Sequence, residues 1–422
     1  MSSVRQRARA RGRVRLAAII GCVAACSGGG RATGPKPPEP PTPPAEPAIE
    51  ARALWVSRFE FDSPAKVELI MQRAAAANFN IVYFQARGAA DAIYRSDLEP
   101  CATVLCGRLG GTPTWDPLDV AVRSAHEHGL ELHAWLNALT GLGAGGAAQC
   151  ATLVESAAGN PRHVLLEHPD WAMVDDGGVR QGCPNAEEYV WLSPGIPGVR
   201  TQLARVAADV TRRYAVDGIH LDRIRYPGNA WSWDSASRAE FGKNPDQNPL
   251  EWRAYRTSLV NRMVRETYDS ISAVKPHLVY SAAVWGIYDD KWNWKTLAGR
   301  ADLMQDSRAW AKDGYMDILV PMTYSRIKTP CARIDWGCML DEQLQGAEKE
   351  TGRQMYIGID ASKGAREVVS QVRMARERGA TGMALFSYSA LADTRAFQLL
   401  ASTVFSEPAS VPAMPWKTQA TH

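Results

Sequence analysis

The sequence predicts an α/β chain folded as a (β/α)8 TIM barrel with a long loop insertion after the third strand. Three observations predict it. Eight short apolar segments alternate with helical patterns along the chain. Each segment is apolar enough to be buried on both faces, as parallel strands packed between helices are. The connections are also lopsided. Turns entering strands are short and carry Asn78, Gly129, Asp217 or Gly379, whereas those leaving strands are long, above all residues 138–197. An enzyme barrel builds its site from the loops after its strands, so length is expected on that face. The alternative is an open, doubly wound sheet, but no Gly-rich turn follows the first strand to support it.

In order, the expected strands are 52–58 (RALWVSR), 80–87 (NIVYFQAR), 130–137 (LELHAWLN), 216–226, 278–286 (LVYSAAVWG), 316–324 (MDILVPMTY), 355–361 (MYIGIDA) and 382–388 (GMALFSY). Helices fill the gaps. Ser63-Pro64 opens one over 64–77 and Asp116-Pro117 another over 117–128, because proline suits the first helical position. Further helical patterns cover 198–214, 250–274 and 363–378.

The amino end reads as a targeting device. Six arginines between Arg5 and Arg15 precede the apolar run Leu16–Ala25 and then Cys26, which describes a secretory signal over 1–25. The run is too short to span a bilayer. Val23-Ala24-Ala25-Cys26 resembles a bacterial lipobox, which makes Cys26 the expected lipidation site; a plain signal peptide with an incidental Cys26 is the alternative. Residues 26–50 then form a proline-rich tether, reaching roughly 70 Å if extended at about 3.1 Å per residue. The expected body is 51–404, and residues 405–422 are expected to be a disordered tail. Ser27 after Cys26 favours sorting to an outer membrane, facing the periplasm.

Of 48 basic residues, six lie in the signal and no acidic ones do, leaving 42 against 45 acidic and a net charge of −3. Such a chain has no electrostatic footprint for nucleic acid. Six cysteines remain beyond Cys26, an even count that suggests disulfides in an exported protein. Spacing favours Cys101–Cys106 and Cys331–Cys338 as loop clips, with Cys150–Cys183 bracing the insertion. A zinc site competes, but no Cys-x-x-Cys or Cys/His cluster supports it, and no metal or cofactor is expected.

The stretch Val216–Pro227 carries the chemistry. Alternation puts Ile219 and Leu221 on one face of a strand and His220 and Asp222 on the other. A carboxylate facing away from the apolar layer, at the carboxyl end of a barrel strand, sits where catalytic groups sit. The same reading places Arg58, Gln85, Arg87, His133, Trp135, Asn137, Tyr324 and Asp360 near strand ends, with Trp285, Trp191 and Tyr388 as aromatic walls. One such residue is as readily a hydrogen-bonded barrel-top side chain. Together they describe a polar cup with aromatic walls. Sugar rings stack on Trp and Tyr while their hydroxyls pair with Asn, Gln, Arg and Asp. Gly-x-Ser-x-Gly and P-loop motifs are absent, which argues against esterase and nucleotide chemistry.

Glycoside hydrolysis usually needs two carboxyl groups. Asp222 is the expected acid. The second is open between Asp306, in Gln305-Asp306-Ser307, and Asp360, with Asp306 preferred; Asp306 is equally a helix cap. Asp217 starts its strand at the far end and reads as structural. Arg225 and Tyr226 follow Asp222 and are expected to orient it or to bind substrate.

These motifs resemble the glycosyl hydrolase-like family 10 domain, a (β/α)8 barrel of exported bacterial proteins. The matching stretches are Arg52–Val56, Val82–Arg87 with Asp91–Ser96, His133–Asn137, His168–Trp171, Leu192–Gly195, Asp217–Pro227, Gln305-Asp306, Pro321–Tyr324 and Phe386–Tyr388. They run in order over about residues 51–404. The resemblance implies a sugar-chain hydrolase, and the family includes a lipoprotein that digests denuded peptidoglycan, glycan strands stripped of stem peptides. The implied partners are therefore a polysaccharide and, through the lipid, a membrane. A carbohydrate-binding barrel without catalysis and an exopolysaccharide hydrolase are the alternatives. Gly88-Ala89-Ala90 replaces the basic-proline pattern expected after the second strand. The Asp217–Asp222 pattern is also similar to the chitinase strand, but Ile224 stands where that catalytic Glu would be.

Overall fold

The computed structural model describes residues 48–143, 151, 159–182, 189–328 and 331–418. Cys26, the signal, almost all of the tether, and the Cys150–Cys183 pair lie outside them.

All eight expected strands form: β1 Ala51–Val56, β2 Ile81–Arg87, β3 Glu131–Asn137, β4 Gly218–Asp222, β5 Val279–Trp285, β6 Ile318–Met322, β7 Gln354–Asp360 and β8 Gly382–Phe386. Each pairs in parallel with its neighbours, and β8 pairs with β1 to close the barrel. The double burial read from sequence comes from two apolar layers. Leu54, Val82, Leu132, Ile219, Leu221, Leu319, Ile357 and Leu385 pack outward against the helices. Ala53, Trp55, Ile81, Tyr83, Trp135, Ala283, Val320, Tyr356 and Ala384 fill the interior. Small residues on β8 and β1 make room for large ones opposite. A Cβ on Gly382 would lie 2.5 Å from Ala51 Cβ and 2.8 Å from the Tyr356 ring.

The outer helices include α1 Pro64–Ala76, α2 Pro117–Glu127, α3 Pro197–Arg213, α4 Pro249–Ser272 and α5 Ala365–Glu377. Proline opens each of the first four. Asp116 caps α2 by accepting from the Leu118 and Asp119 N–H groups at 3.2 and 3.3 Å, whereas Ser63 holds the cap position of α1 without a side-chain bond. No helix among the described residues is long and apolar enough to cross a membrane. Between Asn137 and Pro197 the chain adds a small antiparallel ribbon, Thr140–Gly143 against Tyr189–Trp191. Two disulfides, Cys101–Cys106 and Cys331–Cys338, clip loops as the spacing suggested.

Residues 405–418 are not part of the disordered tail that the prolines suggested over 405–422; 419–422 lie outside the described residues. Ala409–Ser410 pairs with Ala48–Ile49. Val411 and Met414 pack against the interior layer, and Gln354 Nε2 donates to the Pro412 and Ala413 carbonyls. Trp416 Nε1 donates to Asp317 at 2.8 Å, and Lys417 Nζ lies 2.8 Å from the same carboxylate. These contacts seat the segment against the amino-terminal end of the barrel, opposite the strand ends that carry Asp222.

Candidate active site

At the carboxyl ends of the strands lies a cleft of about 370 Å³, within the usual range for ligand sites. Trp55, Gln85, Trp135, Asn137, Asp222, Trp285, Met322, Tyr324 and Phe386 line it, all from strand ends or within two residues beyond, joined by Tyr189 of the ribbon and by Ser57, Arg58, Phe59, Arg223 and Arg225. Larger hollows lie between outer helices, but no strand-end groups converge there.

Asp222 ends β4 and is 9% exposed; its Oδ1 accepts the Arg223 N–H at 2.6 Å. Arg223 adopts a left-handed backbone with φ of 54°, uncommon for a side-chain-bearing residue. That turn breaks the strand alternation and places Arg223 in the cleft wall beside Asp222. Tyr324 lines the same cleft and stacks on Phe386 with centroids 5.7 Å apart. Burial first, then the Asp222 and Asp360 charges, push its hydroxyl well above the ordinary range. Tyr324 is therefore a phenol, able to donate to a sugar oxygen.

Other predicted residues support the cleft. Gln85 Oε1 accepts the Arg58 N–H at 3.0 Å, and Trp135 Nε1 donates to Asn137 Oδ1 at 3.0 Å. The loop bearing Ser57, Arg58 and Phe59 is pinned by Glu60, which accepts from the Ser57 N–H, the Ser387 hydroxyl and the Ser389 N–H, each at 2.6 Å. Gln305 Oε1 accepts the Trp285 N–H at 2.6 Å, while its Nε2 donates to the Ile224 carbonyl at 3.2 Å. The end of β5 is thus tied to the chain leaving β4.

Several predicted residues lie elsewhere. A register shift between Gln85 and Arg87 carries Arg87 off the inward face, and its guanidinium is held by fully buried Glu99 at 2.7 Å and by the Asn137 and Ala138 carbonyls. His133 and His220 point inward but lie deeper, with no exposure. Gly218 is what admits His133, since a Cβ there would fall 2.5 Å from the ring. Tyr226 is fully buried in the outer core under Arg256, and Tyr388 packs outside the barrel, its hydroxyl accepting from Arg73 at 2.9 Å. Beyond the strand ends, period two no longer says which way a side chain points.

The two candidates for a second carboxylate separate. Asp306 precedes the helix Ser307–Lys312, accepts from the Tyr288 hydroxyl and lines an outer hollow with Arg253, Asn261 and Arg300. Asp360 ends β7, where it accepts from the Ser362 N–H and hydroxyl and pairs with Lys363 at 2.9 Å, and its charge acts on Tyr324. Sequence reasoning missed Trp55, Phe59, Tyr189, Arg223 and Phe386 as cleft residues, whereas alternation put Met322 on the inward face with Tyr324. Phe386 was accessible from alternation with Ala384. Arg223 was not, because alternation alone points it outward.

Comparisons with known proteins agree with this barrel. Residues 50–374 match the family described as Glycosyl hydrolase-like 10. The chain is 27% identical over 408 residues to Glycosyl hydrolase YngK of Bacillus subtilis (strain 168), covering 87% of this chain and 74% of that protein. It is 25% identical over 289 residues to Glycosyl hydrolase DigH of Escherichia coli (strain K12), covering 66% of this chain and 62% of that protein. Among solved structures, the PgaB (BpsB) glycoside hydrolase domain from Bordetella bronchiseptica shares the fold, with a TM-score of 0.61 at 13% identity over 86% of this chain and 100% of that one. With 50–374 matched across nearly the whole barrel, the chain belongs to the glycosyl hydrolase-like 10 family and is a glycoside hydrolase.

Proposed function

We propose that this protein cleaves cell-wall glycan, acting on peptidoglycan strands stripped of their stem peptides, with Asp222 as the proton donor. The observation that carries this reading is the position of Asp222. It is the one carboxylate among the described residues that line a cleft walled by Trp55, Trp135, Tyr189, Trp285, Tyr324 and Phe386. Aromatic faces suit the C–H faces of sugar rings. Asp222 gives its proton to the departing glycosidic oxygen while water adds at the sugar's anomeric carbon, and the water's proton passes to a second carboxyl group. We assign that second role to Asp360, whose charge reaches the same tyrosine as Asp222, and not to Asp306, which faces the outer hollow. Trp135, Asn137, Gln85 and Tyr324 hold the sugar hydroxyls and rings.

The resemblance to a family that includes a hydrolase of peptide-free peptidoglycan strands supports that substrate. The lipobox-like Val23–Cys26 and the tether after it support an exported lipoprotein held at the outer membrane on its periplasmic side, within reach of the wall. The test is incubation of the full chain with intact peptidoglycan, peptide-stripped peptidoglycan and an exopolysaccharide, followed by mass analysis of released sugars. Release from the peptide-stripped strands is expected. Binding without release from any glycan would replace this reading with a carbohydrate-binding barrel.

A further inference from the structure

Phe59 stands at the rim of the cleft, on the loop that follows β1, and is 72% exposed. A lone exposed phenylalanine is ordinary. This one is held out: the Glu60 bonds pin its loop, and the Arg58 guanidinium lies over its ring at 4.7 Å. The ring is fixed in place while most of it faces water.

A second aromatic surface follows β5. Trp292 and Trp294 stack with centroids 4.2 Å apart and planes 14° from parallel, and both are partly exposed. Trp294 packs on the cluster of Ile287, Ala298 and Met339 that also supports Trp285 of the cleft wall. Asp290 accepts the Trp294 and Lys295 N–H groups at 2.9 and 2.8 Å, and Trp294 Nε1 donates to the Cys331 carbonyl at 2.9 Å. Trp285 Nε1 donates to the Leu297 carbonyl at 2.8 Å, which ties this loop to the cleft wall. Asn293 and Lys295 take left-handed backbones, with φ of 58° and 55°, a conformation that persists where its surroundings enforce it. Lys291 Nζ pairs with Glu342 at 3.5 Å and lies 5.6 Å from the Trp292 centroid, near the limit of a cation–π contact.

The barrel order sets where these two surfaces stand. β1 and β5 are four strands apart whichever way the closed barrel is followed, so their loops rise on opposite sides of its mouth. The cleft with Asp222 lies between them, lined by Phe59 on one side and Trp285 on the other. A core gains little from aromatic rings left in water, whereas apolar faces at the edge of a groove mark where a ligand continues beyond it.

We propose that Phe59 and the Trp292–Trp294 pair are distal sugar-binding platforms on opposite rims, which hold a glycan chain on both sides of the bond being cut. The ligand is a polysaccharide strand long enough to cross the mouth, and the cut falls inside the strand. This goes beyond the cell-wall reading and does not depend on it, since any chain of pyranose rings offers apolar C–H faces to an aromatic ring.

The experiment uses the full chain and peptide-stripped peptidoglycan sorted into short oligosaccharides and long strands. Long strands are expected to have the higher kcat/KM. Phe59→Ala and Trp292→Ala should each narrow that ratio by about three- to tenfold, mainly through KM, as for loss of one aromatic stack. Trp292→Tyr should keep part of it. Early products of the wild-type chain on long strands should be chains of mixed length, a readout that does not depend on how the variants fold. Equal kcat/KM on short and long strands, or release of one small sugar alone from the outset, overturns the proposal and leaves the cell-wall reading standing. A long-to-short ratio unchanged in both alanine variants, with a lowered thermal unfolding midpoint, also overturns it and makes these aromatics structural. If poly-N-acetylglucosamine is cleaved and peptide-stripped peptidoglycan is not, the cell-wall reading fails, and the same length series on poly-N-acetylglucosamine decides the platforms.

Discussion

Trp55 donates its indole N–H to His220 Nε2 at 3.1 Å, just below the cleft. Because Nε2 accepts, the ring proton resides on Nδ1, which faces the Ser281 hydroxyl at 2.9 Å. The Tyr83 ring stacks on the imidazole with centroids 4.0 Å apart. Burial, and then neighbouring His133, hold His220 well below its ordinary value of 6.5. His220 is therefore a neutral strut that fixes the floor beside Asp222, and not a proton carrier.

This arrangement makes stability depend on pH. A second buried histidine, His163, is also lowered from 6.5, chiefly by burial; its Nε2 faces the Ala89 carbonyl and its Nδ1 accepts the Leu165 N–H. Above pH 6.5 both histidines are neutral folded and unfolded, and neither contributes a slope. Below it the unfolded chain binds protons that the folded chain refuses, so stability falls as pH falls. The expected slope is up to about 1.4 kcal/mol per pH unit for each histidine. Urea unfolding at pH 7.5, 6.0 and 5.0 measures it, and His163→Asn should make the line shallower. An unchanged slope in that variant would contradict the buried neutral state.

Glu99→Gln leaves Arg87 buried without its countercharge. Breaking a buried pair by removing one partner costs about 3–5 kcal/mol. Denaturant unfolding should show a loss of that order, with turnover per folded molecule little changed. A large loss of turnover without loss of stability would return Arg87 to the substrate site.

Deleting residues 409–422 should lower stability and spare catalysis. The deletion removes both Trp416 and Lys417 from Asp317, a carboxylate that is 1% exposed. Thermal unfolding and initial rates, measured on the same truncated protein, separate the two effects. An unchanged unfolding midpoint would mean that the segment contributes nothing at the barrel's base.

Cys26→Ala should abolish labelling by a fatty-acid analogue and release the protein from membranes. One acyl chain binds only marginally, whereas several hold a protein firmly. Membrane retention of the variant would mean that Cys26 carries no lipid anchor.

The barrel was legible because each of its strands carries two apolar layers at period two, and alternation alone set Ile219 and Leu221 apart from His220 and Asp222. That signal ends where the strands end. One irregular residue between Gln85 and Arg87 was enough to turn Arg87 from the cleft to Glu99, and a left-handed Arg223 turned inward against the pattern. Asp306 had the right place in the chain order after β5, but the chain had already turned outward by that point. The terminal segment read as disordered from its prolines, although Met414 and Trp416 were the anchors that seat it.

In the proposed reaction Asp222 supplies the proton to the departing sugar. Asp222→Asn keeps shape and hydrogen bonding but has no carboxylic proton to give. General acid–base assistance is worth typically about 10²–10⁴-fold. The decisive measurement is the initial rate of sugar release from peptide-stripped peptidoglycan by Asp222→Asn, beside glycan binding by the same protein. The expected rate is lower by at least that factor, with binding retained. A variant that releases sugars at the wild-type rate would contradict it.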